Sequence, residues 1–200
     1  MAKPITPPEV IREKIMEVAI DEFNEKGLKF TMDDIATRLS MSKKTLYRAF
    51  ADKNELFIGM VDFYFAAVKE SERKILDDDE MPILEKIRRV LIVQPEKFSR
   101  IDLRQLLSLK EKYPETYQMV ARRIEGDWEP TIRLIEKGME AGVIRKISIP
   151  VLKGIVEGTM EHFLTGDMLI KENITYPEAL EKMMDIVMVG ITNGGGRLDG

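Results

Sequence analysis

Residues 40–57, SMSKKTLYRAFADKNELF, place four cations, a tyrosine and two phenylalanines within eighteen positions. Lysine and arginine donate to guanine edges and phosphate oxygens, and hydroxyls and helix-terminal N–H groups donate to phosphate. The set therefore points to polyanion recognition rather than to bond-making chemistry. The 200-residue chain is net −4, whereas Arg38, Lys43, Lys44, Arg48 and Lys53 against Asp52 alone leave residues 38–53 at +4. A local basic patch on an acidic protein is the footprint of a local polyanion contact. The competing account is a solvated helix face, and spacing has to separate the two.

Catalytic chemistry has little material here. The chain lacks cysteine, which removes disulfides, thiolate zinc sites and a cysteine nucleophile. It has one histidine, His162, too few for a histidine-rich metal site; beside Phe163 it reads as an interface or core residue. No phosphate-binding glycine loop, GxSxG elbow or HExxH occurs. The acidic run Asp77–Glu80 reads as a solvated turn, because adjacent residues in one loop rarely converge on a cation. The expectation is a non-enzyme without metal or cofactor. No apolar run approaches the roughly 18 residues of a membrane span, and MAKPITPPEV lacks a signal-peptide core, so the expected location is cytoplasmic.

The basic stretch needs elements to aim it. Thr6-Pro7-Pro8-Glu9 opens a helix over 7–26, with Ile11, Ile15, Val18, Ala19 and Phe23 at helical spacing and Gly27 as its stop. A two-turn helix starts at Thr31, with Asp34 at the third helical position. Ser42 caps a third helix over 43–50, and Asp52 with Glu55 opens a long fourth. Two short helices joined by three residues and braced by a longer one make a helix-turn-helix. Ile35, Leu39, Met41, Leu46 and Phe50 are expected to close its core with Ile15, Ala19 and Phe23, leaving Ser42, Lys43, Lys44, Thr45, Tyr47 and Arg48 facing outward.

FTMDDIATRLSMSKKTLYRAFADKNELF, residues 30–57, resembles the DNA-binding module of the tetracycline-repressor (TetR) family of bacterial transcriptional regulators, in its Thr, Ile-Ala, Ser-x-x-Thr-Leu-Tyr, Phe and Lys-x-x-Leu positions. The resemblance is specific over residues 9–65, and LIEKGMEAGVIR at 134–145 is similar to a stretch late in the family's regulatory domain. Ser40 and Lys44 stand where the family often has glycine; Lys44 adds a long cation to the reading face, so base preference cannot be borrowed. The resemblance implies that Tyr47 and Lys53 clamp phosphates, that Ser42, Lys43, Lys44 and Thr45 reach base edges or adjacent phosphates, and that Thr31 is a phosphate-contacting N-cap. A ring packed on Phe50 and a free surface lysine remain the alternatives for Tyr47 and Lys53.

Beyond residue 53 the pattern is helical throughout, over 54–76, 82–94, 98–112, 115–141 with Pro130 bending it, 149–171 and 177–192, followed by a frayed tail. The fold class is all-α, divided into a DNA-binding domain at 1–53 and an effector-binding and dimerisation domain at 54–200. On the last helix Leu180, Met183, Met184, Val187, Met188 and Ile191 form one apolar stripe, and Ile186 and Val189 turn apolar surface away from it. A second stripe implies a second partner. Gly154 and Gly158, four apart, allow another helix to approach. The resemblance implies that these last two helices form a homodimer interface involving Gly154, Gly158, Val187 and Val189. It also implies an effector cavity near Met60, Tyr64, Trp128, Met160 and Phe163. The resulting expectation is a repressor that binds a palindromic duplex operator and is released by a small apolar or amphipathic effector. The alternative is a helical ligand-binding or adaptor protein whose helix-turn-helix no longer engages DNA.

Overall fold

The computed structural model describes residues 8–95, 109–124 and 128–193. Regular structure among them is helical: α1 Pro8–Lys26, a 3-10 turn Gly27–Lys29, α2 Met32–Arg38, α3 Lys43–Ala49, α4 Lys53–Leu76, α5 Ile83–Leu91, α6 Leu109–Lys112, α7 Pro114–Ile124, α8 Glu129–Glu140, α9 Ile149–Thr165, α10 Met168–Lys171 and α11 Tyr176–Ile191. By contact density the chain forms two units, Met1–Ala67 with Lys97–Val120, and Val68–Glu96 with Ala121–Gly200.

The first unit encloses the expected core. Ile15, Ala19, Phe23, Ile35, Leu46 and Phe50 are buried, while Leu39 and Met41 are partly buried against them. Local chemistry sets each element. Thr31 caps α2 reciprocally with Asp34, and Ser42 Oγ accepts from Thr45 N at 3.1 Å to start α3. Between them, Ser40 takes φ 49°, with Ser40 N bonded to Thr37 O and Met41 N to Ala36 O. This is the left-handed turn expected there, held by serine at a cost of about 1 kcal/mol relative to glycine. The core also recruits Phe30, Phe57 and Leu109, the last from α6. The Phe57 ring lies 5.8 Å from Phe23, 5.5 Å from Phe30 and 4.8 Å from Tyr113.

In the second unit α5 packs on α8, and α9 on α11. Gly138 of α8 sits in close packing, since a Cβ there would meet Ile144 Cδ1 at 2.9 Å and the neighbouring side chains would have to shift. Arg88 of α5 reaches Glu181 and Asp185 of α11 at 2.6 and 2.9 Å.

Several expected boundaries change. The single bent helix over 115–141 is two helices, α7 and α8, and Pro130 lies in the first turn of α8, where its missing N–H costs nothing. The helix expected over 149–171 stops at Thr165: Gly166 is extended, and α10 follows as a separate turn. The helix expected over 82–94 ends at Leu91. Of 98–112 only α6 falls among the described residues; the Thr6 cap and the tail beyond Asn193 lie outside them.

Candidate nucleic-acid interface

The outward edge of α3 is built by burying its opposite side. Leu46 and Phe50 are fully enclosed, which turns Lys43, Lys44, Tyr47 and Arg48 to solvent, with Tyr47 47% exposed. The far end of α3 is held from α1: Arg12 donates to Ala49 O and stacks its guanidinium 4.1 Å from the Phe50 ring. Gly59 of α4 completes the seat, since a Cβ there would lie 2.8 Å from Phe50 Cε1.

The cations of the basic patch divide by task. Arg38 is engaged by α1, its guanidinium meeting Glu22 at 3.0 Å, Glu25 at 3.1 Å and Asp21 at 3.5 Å. Glu22 is buried, and Lys26 and then Arg38 hold its carboxyl below the usual range. Arg38 therefore ties α2 to α1 rather than adding charge to the exposed face of α3. Lys43 Nζ reaches Asp33 Oδ2 at 2.6 Å across the turn, which raises its pKa. Lys53 Nζ donates to Leu28 O at 2.8 Å and to Phe30 O, and lies 4.0 Å from the Phe30 ring centroid. Burial lowers its pKa, and Lys112 adds to that. One N–H of its ammonium is left over. Lys44 and Arg48 are exposed on the same helix as Tyr47.

The hydroxyls are engaged locally. Thr31 Oγ1 donates to Asp34 Oδ2 at 2.8 Å and accepts from Asp34 N at 3.1 Å, and Thr31 leads the causes that bring the Asp34 carboxyl down to about 2. Ser42 Oγ and Thr45 Oγ1 are 2.9 Å apart. Thr31 and Ser42 thus serve first as caps, aiming the N-termini of α2 and α3.

The remaining expected residues fall in separate places. Met60 is buried in the core of the first unit, and Tyr64 packs against that core, where burial raises its phenol pKa. Trp128, Met160 and Phe163 belong to the second unit; all three are half-buried, and Lys153 Nζ lies 5.8 Å from the Trp128 ring. On α9, Gly154 and Gly158 are open: among the described residues, no atom beyond the chain neighbours and the helix's own backbone lies within 4 Å of an added Cβ. On α11, Val187 is half-buried and Val189 is 64% exposed beside Ile186 at 76%. On α9, Val151 and Ile155 are exposed as well, at 60% and 51%. Sequence reasoning passed over those two, although their four-residue spacing around Gly154 carries the signal. His162 is exposed on α9 rather than buried in a core. Arg12 and Lys112 had no signal in sequence, because their roles come from neighbours 37 or more residues away.

The model of the bacterial regulatory proteins, tetR family, matches residues 15–60. The chain is 26% identical over 180 residues to the uncharacterized HTH-type transcriptional regulator YvaF of Bacillus subtilis (strain 168), covering 90% of this chain and 95% of the relative. It is 29% identical over 167 residues to the nucleoid occlusion factor SlmA of Vibrio atlanticus (strain LGP32), covering 78% and 85%. Its fold is similar to that of SmeT, the repressor of the Stenotrophomonas maltophilia multidrug efflux pump SmeDEF, with TM-score 0.64 and 18% identity over 94% of both chains.

Proposed function

We propose that this chain, which belongs to the tetR family of bacterial regulatory proteins, is a transcriptional regulator that reads a palindromic operator as a homodimer and is released by a small apolar or amphipathic effector. The observation that carries the DNA reading is the edge of α3. Lys44, Tyr47 and Arg48 stand exposed on one short helix whose other side is locked into the core, while Arg38 and Lys43 are engaged by carboxylates. A helix so anchored suits the major groove, with Lys44 on base edges and Tyr47 and the spare N–H of Lys53 on flanking phosphates. Residues 1–53 do the reading, and residues 54–200 carry dimerisation and effector response.

The dimer reading rests on Val151, Ile155, Ile186 and Val189 exposed beside the open glycines Gly154, Gly158 and Gly190. Apolar surface with room for close backbone approach suits a second copy of α9 and α11, and a two-fold axis then presents two reading heads. The effector reading is supported by a neighbour of similar fold, SmeT, solved as a complex with triclosan (TM-score 0.61, 18% identity). Trp128, Met160 and Phe163 are the residues of the second unit proposed to meet such a molecule.

The test is selection of sites from random duplex DNA, then titration of Lys44→Ala on the selected site and on base-changed versions. A guanine contact through Lys44 is worth about 1–3 kcal/mol and changes the order of preference among sequences. Failure to select any site, or an unchanged order in the mutant, removes the groove assignment. A second reading draws on the relatives named nucleoid occlusion factors: DNA binding that serves chromosome organisation rather than a promoter. Bound sites scattered over the chromosome, away from promoters, would favour it.

A further inference from the structure

A cleft of about 630 Å³ opens beside α3, lined by Leu28–Asp33, Tyr47, Lys53 and Lys112. Its charge is one-sided. Lys29, Lys53 and Lys112 bring three ammonium groups, and the one carboxylate in the lining, Asp33, is already held by Lys43 at 2.6 Å. Lys53 is turned onto the Leu28 and Phe30 carbonyls. Lys112 comes from α6, far along the chain, and is exposed.

Its position is fixed by what surrounds it. Leu109, one turn before Lys112, is 1% exposed within the helix-turn-helix core. Tyr113, the next residue, packs its ring 4.8 Å from Phe57. Thr116, fully buried, donates to Asn54 Oδ1 at 3.3 Å. The backbone carrying Lys112 is thereby bound to the foot of α4, and a like charge is held next to Lys53 in a cleft that already has an excess of cations. Such an arrangement is unfavourable in the empty protein and becomes favourable when an anion enters.

We propose that Lys112 holds a DNA backbone phosphate in this cleft, together with the Tyr47 hydroxyl and the remaining N–H of Lys53, so that α6 belongs to the DNA interface. The proposal rests on the DNA-binding reading above and adds a contact from outside residues 15–60, the span matched by the family model. Phosphate is the group that suits the lining, because lysine and tyrosine side chains line one cleft beside the edge of α3 proposed to enter the groove, where the flanking backbone must pass.

The experiment is a salt titration of duplex binding, on a site selected by the wild-type protein, for wild type, Lys112→Ala and Lys112→Arg. Each phosphate contact contributes about 0.9 to the slope of log K against log salt. Lys112→Ala should lower the slope by about 0.9 per bound chain, equivalent to about 3.5-fold per chain between 50 and 200 mM salt. The order of preference among sequences should not change, the melting temperature should not fall, and Lys112→Arg should restore the slope. A wild-type slope in Lys112→Ala overturns the proposal while leaving the DNA reading intact. Absence of duplex binding by the wild type at low salt overturns both. Inorganic phosphate titrated calorimetrically into the DNA-free protein is the other arm. Saturable binding that is lost in Lys112→Ala, with an unchanged DNA slope, would assign the cleft to free phosphate instead.

Discussion

Replacing Gly59 by alanine tests how α3 is seated. The added Cβ would lie 2.8 Å from Phe50 Cε1 and 3.4 Å from both Phe50 Cζ and Met16 Sδ. Ordinary carbon contacts lie at about 3.5–4.0 Å, so roughly 0.7 Å of overlap has to be relieved. The Phe50 ring has no exposed surface, and its face is stacked on Arg12, so the ring cannot swing away without moving α3. Overpacking of this kind costs about 1–3 kcal/mol, and alanine returns about 0.8–1.0 kcal/mol of helix propensity. The net expectation is about 0–2 kcal/mol of destabilisation, with weakened duplex binding as Phe50 tilts α3. Gly158→Ala, followed at a concentration where the chain is monomeric, is the matched control. Nothing lies within 4 Å of its Cβ, so the folded chain should gain up to about 1 kcal/mol. Because two units need not unfold together, hydrogen exchange on the α1–α4 and α9 amides should accompany urea unfolding followed by circular dichroism. Amides of α1–α4 protected in Gly59→Ala as well as in wild type would refute the close-approach argument.

Val189→Glu should leave the chain folded, since the residue is 64% exposed, yet shift sedimentation from dimer to monomer; a dimeric mutant would place the interface elsewhere. Gly158→Ala, harmless to the single chain, should loosen the same dimer by blocking helix approach. Asp34 has its carboxyl lowered from 3.8 to about 2, so its support of the α2 cap is complete above pH 4 and disappears as pH falls through 2. In Thr31→Ala a carboxyl titration by NMR should find Asp34 raised toward its ordinary value yet still below it, because Lys26 at 3.0 Å and the backbone N–H of residue 31 remain, with α2 stability lowered by about 1 kcal/mol at neutral pH. An effector found by thermal shift should bind operator-bound protein more weakly, by the same factor by which it weakens operator binding. Equal affinity in both titrations would mean a pocket without a switch.

Much of the α1–α4 module was legible in the chain itself. Caps at Thr31 and Ser42, the left-handed residue at Ser40, and the spacing of Ile35, Leu46 and Phe50 are local features, and local chemistry is sufficient to place helices and decide which side is buried. The second apolar stripe at Ile186 and Val189 was equally plain, because a helix with two apolar sides shows them in its periodicity. The helix ends after residue 90 were less so. Proline at 130 breaks or begins a helix according to what precedes it, and sequence alone does not choose between them. What tertiary structure alone decided is the use of each charge. Arg38 and Lys44 have the same sign and lie six residues apart, yet one is held by three carboxylates of α1 while the other stands on the exposed edge of α3. Lys53 gives two of its N–H groups to the Leu28 and Phe30 carbonyls, and Lys112 was brought to its side from α6. Sequence states how many charges a chain has and how they are spaced. A charge becomes structural or functional only through the groups that folding brings within a few ångströms of it, and those come from elsewhere in the chain.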